Sequence, residues 1–214
     1  MTTKTVSPRG RPRQFDLDKA LATAQRLFHT TGYDALSVAD LTRELGINPP
    51  SFYAAFGSKN GLYAQVLDRY ASAGAVPLQE ILQAERPLAA SLGEVLVQAA
   101  RYYAADAAAT GCMVLEGTHC NDPEARAAAA GFHAAAQDVL RRAIAAHYPA
   151  EADRLADFVS TTMAGLSASA RHGQSLERLV ATAQLAGMAL AQALPDCPSD
   201  QASGSRQEEK AHEQ

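Results

Sequence analysis

The sequence of 214 residues has no tryptophan, few other aromatic residues and only three cysteines. Because Cys112, Cys120 and Cys197 are odd in number and form no C-x-x-C pair, we expect neither a disulfide framework nor a structural zinc site. Reduced thiols, no bound metal and no cofactor are therefore the expectation.

Long apolar stretches are also missing from the chain. No run approaches about 18 uninterrupted apolar residues, the length that a transmembrane helix needs. The N-terminus is basic and contains Pro8 and Pro12, whereas a secretory signal has a charged start followed by an apolar run. These absences predict a cytoplasmic protein without a membrane partner.

The sequence also lacks recognisable catalytic patterns. The sequence shows no nucleophile–base pair, no carboxylate pair and no phosphate-binding glycine loop. We therefore expect no enzymatic activity, and the function should lie in binding.

Acidic residues are scarce at the N-terminal end, although the net charge of the chain is −4. Residues 1–72 hold nine Lys/Arg and six Asp/Glu, whereas residues 73–214 hold ten and seventeen. Residues 1–14 carry four basic residues and no acidic one, which predicts a basic flexible arm. Because a local field steers a charged partner, the basic end matters more than the average charge.

Proline positions and apolar spacing predict an all-α fold. A proline inside a helix costs about 3 kcal/mol, so the intervals between the ten prolines are the candidate helices. These intervals are rich in Ala and Leu at three- and four-residue spacing, without sustained alternation. Four helices are expected before residue 75, and a turn-rich segment at Thr110–Asn121. Four longer helices are expected at Pro87–Ala109, Pro123–Tyr148, Ala150–His172 and Ser175–Leu194.

The first and fourth helices of the N-terminal part have recognisable starts. Asp16 is the expected N-cap of the first helix, whose apolar stripe runs from Leu17 to Phe28 and which ends at Gly32. Ser58 is the expected N-cap of the fourth helix.

The second and third helices are short and closely spaced. Ser37 opens the second helix in a capping-box-like pattern, and Gly46 supplies the tight turn that ends it. Asn48 caps the third helix, which has two prolines in its first turn and buries Phe52 and Phe56. This arrangement predicts a helix-turn-helix, whose second helix lies in the DNA major groove.

The stretch Leu45–Tyr63, which reads LGINPPSFYAAFGSKNGLY, resembles the signature of the TetR family of bacterial regulators. The aromatic element at Phe28–Tyr33 and the SVADL segment at Ser37–Leu41 agree with it. Two features depart from the family pattern. Gly61 lies where an acidic or larger residue is commoner, and Pro49-Pro50 replaces a small or basic pair.

The resemblance implies a three-helix DNA-binding domain that is joined through a fourth helix to a larger helical domain for ligand binding and dimerisation. We place the arm at residues 1–14, the helix-turn-helix domain at 15–62, the helical domain at 63–194 and a disordered tail at 195–214. The implied function is a sequence-specific regulator, a repressor that a small molecule releases from its operator.

Double-stranded operator DNA is the implied partner. Tyr53 and Lys59 would bind phosphates, while the start of the third helix would meet base edges and the arm would enter the minor groove. The alternative is that Tyr53 and Lys59 are ordinary surface residues and that the arm only aids solubility. The expected DNA-binding residues are Arg11, Arg13, Ser37, Thr42, Asn48, Pro49, Pro50, Ser51, Tyr53 and Lys59.

The helical domain should hold an unknown small-molecule effector in a largely apolar cavity with a few polar groups. An ordinary place in the core is the alternative for each candidate side chain. Bulky or polar-tipped residues in this alanine-rich domain are the candidates: Tyr102, Tyr103, Met113, Glu116, His119, Phe132, His133, Phe158 and Met163.

The last two helices are rich in Ala, Gly and Ser, which allows close helix packing. Because one recognition helix contacts few base pairs, the family resemblance implies a homodimer that forms through these helices. The alternative is that the same small residues pack only within one chain.

A cluster of four residues, Cys112, Glu116, His119 and Cys120, suggests a further alternative. If Glu116, His119 and Cys120 share one helix face, the protein could be a metal- or redox-responsive regulator. An activator that binds DNA without a ligand is another alternative to the repressor.

Overall fold

The computed structural model describes residues 16–194. Within this range all of the regular secondary structure is helical, and no β-strand is present. This confirms the all-α prediction. One 3-10 turn lies at Pro149–Glu151. The α-helices are α1 (Leu17–Thr31), α2 (Val38–Leu45), α3 (Pro49–Phe56), α4 (Lys59–Ala73), α5 (Leu78–Gln83), α6 (Leu88–Tyr103), α7 (Met113–Gly117), α8 (Pro123–Ala145), α9 (Ala152–Arg171) and α10 (Leu176–Ala193).

The helix starts are fixed by side-chain caps, which satisfy backbone N–H groups that a helix leaves unpaired. Asp16 accepts from the N–H of Lys19 in α1, and Ser58 caps α4. Ser37 and Asp40 form a complete capping box at α2. Together with Asp122 before Pro123 at α8 and Asn48 at α3, these caps confirm the predicted starts.

The helix expected at Pro87–Ala109 ends at Tyr103, and three other local features also differ from the expectation. Leu17 is exposed, because the buried side of α1 begins only at Ala20. The segment Thr110–Asn121 contains the short helix α7, and α5 was not predicted at all. Both helices have six residues or fewer, too few to show a helical period in the sequence.

The described part of the chain has two apolar cores. One core lies among α6, α8, α9 and α10 and includes Leu92, Leu140 and Leu179. The other packs α1, α2, α3 and α4 together and continues into Met113 of α7 and Ala129 of α8. We call α1–α3 the head and α5–α10 the body. Since α4 runs unbroken through residue 62, a single helix connects them.

Close backbone contact joins α6 to α10, the pair of helices that packs most extensively. A Cβ atom added to Gly187 would lie 3.4 Å from the Cα atom of Gly93. The two glycines therefore let the helices cross with little between them. Among residues 16–194, no helix has the length and apolarity that crossing a membrane requires.

Candidate nucleic-acid interface and ligand cavity

The turn between α2 and α3 is held by an apolar clasp. Leu41 of α2 and Phe52 and Phe56 of α3 are buried, and Leu45 and Ile47 are half-buried against them. Gly46 adopts φ 67°, a left-handed conformation that glycine reaches without steric cost. The clasp predicted from the sequence is confirmed, and it fixes which side of α3 faces solvent.

Four of the ten predicted DNA-binding residues lie on the outward side of α3, and a fifth, Asn48, is its N-cap. Pro49, Pro50 and Ser51 are exposed, and 52% of Tyr53 is exposed. The side-chain oxygen of Asn48 accepts from the N–H of Ser51 at 2.9 Å, so the amide nitrogen of Asn48 is left as a donor.

The other predicted phosphate contacts are placed differently. Ser37 is exposed, but its hydroxyl donates to Asp40 at 2.6 Å. Thr42 is buried and its hydroxyl donates to the carbonyl of Ala39, which does not favour a contact with phosphate. Arg11 and Arg13 lie outside the described residues.

Lys59, the first residue of α4, packs against the head. Its ammonium group lies 3.9 Å from the ring centroid of Tyr33, a cation–π contact. Partial burial lowers the pKa of Lys59. A contact between Lys59 and phosphate therefore requires the side chain to turn away from Tyr33.

Gly61 lies at a position with no room for a side chain. A Cβ atom at this position would lie 2.1 Å from the carbonyl oxygen of Phe56, the last residue of α3. Because that oxygen is a backbone atom, a larger residue would displace the turn between α3 and α4. Gly61 thus permits the close approach of the recognition helix to α4.

A network of hydrogen bonds ties the head to the body. The Tyr33 hydroxyl donates to Asn60 and, at 3.2 Å, to Asp122 at the start of α8. The Asn60 amide donates to Glu124 at 2.8 Å. The backbone N–H of Asn121 donates to Asp34 at 2.9 Å.

A further link joins α1 to the segment before α7. Nε2 of His29 lies 3.2 Å from the carbonyl oxygen of Gly111. Burial is the main cause that lowers the pKa of His29, which favours the neutral ring. These links could not be predicted from sequence patterns, because their partners are 60 to 90 positions apart.

The larger cavity of the body has a volume of about 440 Å³ and lies between α4, α5, α7, α8 and α9. Four of the nine candidate ligand residues line it: Tyr103, Phe132, His133 and Met163. The cavity is also lined by four residues that were not among the predicted ligand residues: Tyr70, Cys112, Gln137 and Ser160.

A smaller cavity of about 270 Å³ lies between the end of α1 and α7. The candidates Met113, Glu116 and His119 line this second cavity. Tyr102 and Phe158 line neither of these two cavities and are 39% and 40% exposed. Both lie on outward helix faces.

The proposed metal or redox cluster does not share one helix face, because α7 ends at Gly117. Glu116 pairs with Arg171 at 2.7 Å, although the angle is not that of a hydrogen bond. His119 is exposed and folds back on its own turn, whereas Cys120 is buried. Within residues 16–194, no three His, Cys, Asp or Glu side chains converge as a metal site requires.

Both described thiols are poor candidates for reactive sensors. Burial raises the pKa of Cys112 and of Cys120, whereas a reactive cysteine needs a lowered pKa. Cys112 lies beside the hydroxyls of Tyr70 and Tyr103, whose pKa values are also raised by burial. The deep end of the larger cavity therefore offers neutral hydroxyl and thiol groups.

Sequence comparison finds relatives over most of the chain. The family profile described as "Bacterial regulatory proteins, tetR family" matches residues 20–66. The HTH-type transcriptional repressor BdcR of Escherichia coli (strain K12) is 49% identical over 190 residues, 89% of this chain and 96% of that protein. The HTH-type transcriptional repressor ComR of the same strain is 33% identical over 193 residues, 85% of this chain and 90% of that protein.

A solved structure resembles the fold as well. A cysteine mutant of the TetR family transcriptional regulator CifR, in complex with a 26-base-pair double-strand operator DNA, matches with a TM-score of 0.73. It is 32% identical, and the match covers 84% of this chain and 99% of that one. The likeness therefore extends beyond the helix-turn-helix into the body.

Proposed function

The chain belongs to the tetR family of bacterial regulatory proteins, and from this premise we propose that it is a cytoplasmic repressor that a small molecule releases from operator DNA. It is a DNA-binding transcriptional regulator with an N-terminal helix-turn-helix. The repressor names of its relatives and the operator complex of a similar structure support the proposal.

The observation that carries the release mechanism is the position of α7. Cys112, Val114 and Leu115 line the larger cavity, while Met113 and Val114 belong to the apolar core of the head. Gly117, the last residue of α7, lies against α4. A molecule that fills the cavity therefore pushes on a helix that also supports the head.

The head would respond as a unit, because it is linked to the same segment at several points. His29 contacts Gly111 before α7, and Asp34 accepts from Asn121 after it. A displacement of this segment changes the position of α1 and of the recognition helix with it. Differential binding of the effector to the two positions would supply the free energy of release.

The cavity wall suits a largely apolar effector. Its wall contains no Lys or Arg, and its acidic residue Glu80 is exposed. Apolar residues such as Leu140 and Phe132 make up much of the surface, with a few polar groups among them. A charged effector would lose hydration at the deep end without gaining an ionic partner there.

We also propose a homodimer that forms through α9 and α10. Leu185 and Met188 of α10 are 67% and 63% exposed, and Phe158 of α9 is also exposed. Large apolar side chains that are exposed on these two helices favour contact with a second copy. Two copies would present two recognition helices to half-sites about one helical turn apart.

The test begins with selection of bound duplexes from random DNA, followed by a screen for small molecules that release the selected operator. Sequence-specific binding and release by at least one molecule are the expected results. The variant Ala136→Phe, which fills the larger cavity, should keep operator binding and lose the response.

The competing functions give different results in this experiment. If no duplex is preferred over random competitor, the proposal of a specific regulator is wrong. A constitutive DNA-binding protein or a ligand-free activator would bind its operator, and no molecule would release it.

A further inference from the structure

The recognition helix α3 reads PPSFYAAF and contains no Lys, Arg, Asp, Glu or His. The commonest base-specific contact in the major groove is an Arg or Lys that binds guanine. Residues 49–56 cannot make it. Arg43, in the last turn of α2, is ion-paired with Asp40 at 2.8 Å and lies 3.5 Å from Glu44.

The first turn of α3 also has no free backbone donor. Pro49 and Pro50 have no N–H group. The N–H of Ser51 donates to the side chain of Asn48, and the N–H of Phe52 donates to the backbone carbonyl of Asn48. The N-terminus of α3 therefore lacks the free backbone N–H groups with which helix N-termini usually bind phosphate.

Apart from the hydroxyl of Ser51, the exposed surface of this turn is apolar. The rings of Pro49 and Pro50 are exposed, and Ala54 is exposed one helical turn after Pro50. Phe52 and Phe56 point the other way, into the apolar core. The apolar strip, defined as Pro49, Pro50 and Ala54, therefore lies on the solvent-exposed surface of α3.

Thymine carries the one apolar group on the major-groove edge of the base pairs, its C5-methyl. We propose that α3 reads its half-site chiefly through thymine methyl groups that pack against the apolar strip. The amide of Asn48 and the hydroxyl of Ser51 flank the strip and supply hydrogen bonds to neighbouring bases. The inference rests on DNA binding by the head and names the bases that the head prefers.

The test uses the wild-type chain and the operator selected from random duplexes. Each thymine of the half-site is replaced in turn by deoxyuridine, which lacks the methyl group and keeps the same base-pairing edge. We expect the affinity to fall about fourfold for each thymine methyl that touches the strip. This factor corresponds to the free energy of burying one methyl-sized group. Thymines elsewhere in the duplex should tolerate the replacement.

A variant identifies the protein side of the contact. Pro50→Ala should bind thymine and deoxyuridine operators with nearly equal affinity, because the ring that covers the methyl is gone. The matched control is Pro149→Ala in the 3-10 turn of the body, which should discriminate as the wild type does. Thermal unfolding of both variants verifies that the fold is retained.

Several outcomes would overturn the inference. A selected half-site without thymine, or full affinity for the deoxyuridine operators, shows that methyl groups are not read. If Pro50→Ala and Pro49→Ala both distinguish thymine from deoxyuridine operators as the wild type does, the methyl contact is made by residues outside the strip. Failure to select any sequence contradicts the proposed function itself, so the two failures can be told apart.

Discussion

The hydroxyl of Tyr63 in α4 lies directly against Gly117 in α7. A Cβ atom at Gly117 would be 2.3 Å from that oxygen and 2.7 Å from the Cβ atom of Ala129 in α8. Three helices therefore meet at a point where only a hydrogen atom fits. Through this contact α7 touches the helix that connects the head to the body.

The variant Gly117→Ala should be destabilised by roughly 1–3 kcal/mol, because the added methyl overpacks this junction. Chemical unfolding measures the loss. The control is Gly131→Ala in α8, where an added Cβ meets no atom within 4 Å. It should stabilise the protein by up to about 1 kcal/mol, because alanine favours a helix more than glycine does.

A double variant separates overpacking from other effects. Adding Tyr63→Phe to Gly117→Ala removes the oxygen at the shortest contact, so part of the lost stability should return. If Gly117→Ala is as stable as Gly131→Ala, the junction is looser than the structure shows.

Lys59→Ala should reduce the salt dependence of operator binding by about one phosphate contact. The reason is that Lys59, at the start of α4, can leave the ring of Tyr33 to neutralise a phosphate. Fluorescence anisotropy at several salt concentrations gives the slope. Arg142→Ala removes an exposed charge on α8 and should leave the slope unchanged. An identical slope for the two variants would exclude Lys59 from the interface.

The stability of the protein should decrease as the pH falls below about 6.5, partly because of His29. Its pKa is lowered in the folded state, mainly by burial and further by the charge of Arg171, against the contributions of Gly111, Thr110 and Asp106. The unfolded chain therefore takes up the proton first, and acidification favours unfolding until the pH passes below the folded-state pKa.

Urea unfolding between about pH 8 and about pH 5 measures this dependence. His29→Gln should show a shallower decrease than the wild type. His172→Gln, an exposed position after α9, serves as the control and should follow the wild type. Equal pH profiles for all three proteins would contradict the assignment to His29.

Replacing Leu185 and Met188 together by Glu should give a monomer, because the charges would be buried between two copies of α10. Light scattering during size-exclusion chromatography measures the mass. Operator affinity should fall by more than about tenfold, since each monomer holds one half-site. Tyr102→Glu, at an exposed aromatic residue on α6, should leave the mass and the affinity unchanged. A persistent dimer would place the interface elsewhere.

The larger cavity should discriminate molecules by charge. Benzylacetone, hydrocinnamate, isopentylbenzene and the primary amine of the benzylacetone skeleton have nearly the same shape and differ in charge and polarity. We expect the ketone and the hydrocarbon to raise the Tm, because the wall has no Lys or Arg and its deep groups are neutral. A larger shift with the carboxylate or the ammonium compound would refute the apolar assignment.

Local features of this fold could be predicted from the sequence, whereas the cavity could not. Asn48, Ser37 and Gly46 fix the helix-turn-helix through contacts within a few residues. The sequence pattern alone therefore predicts where its helices begin and end. The clasp of Phe52 and Phe56 follows from helical spacing alone. The predicted phosphate contact of Thr42 is not favoured in the structure, because the Thr42 hydroxyl donates to the carbonyl of Ala39 within its own helix turn.

The cavity residues depend on which way each helix is turned in the fold. Tyr102 and Tyr103 are neighbours in α6, yet only Tyr103 faces inward, because consecutive helical residues point about 100° apart. Tyr70 comes from α4 and meets Cys112, which is distant in the sequence, only through the tertiary fold. Composition can mark such residues as candidates, but it contains no information on their direction.

Tyr33 gives the molecule a shared anchor. Its ring supports the ammonium group of Lys59, and its hydroxyl reaches Asn60 and Asp122 at the junction with α8. The resting position of Lys59, the proposed phosphate contact, and the seating of the head on the body thus both depend on one side chain. A change at this position would alter both properties at once, so neither can be tuned there without the other.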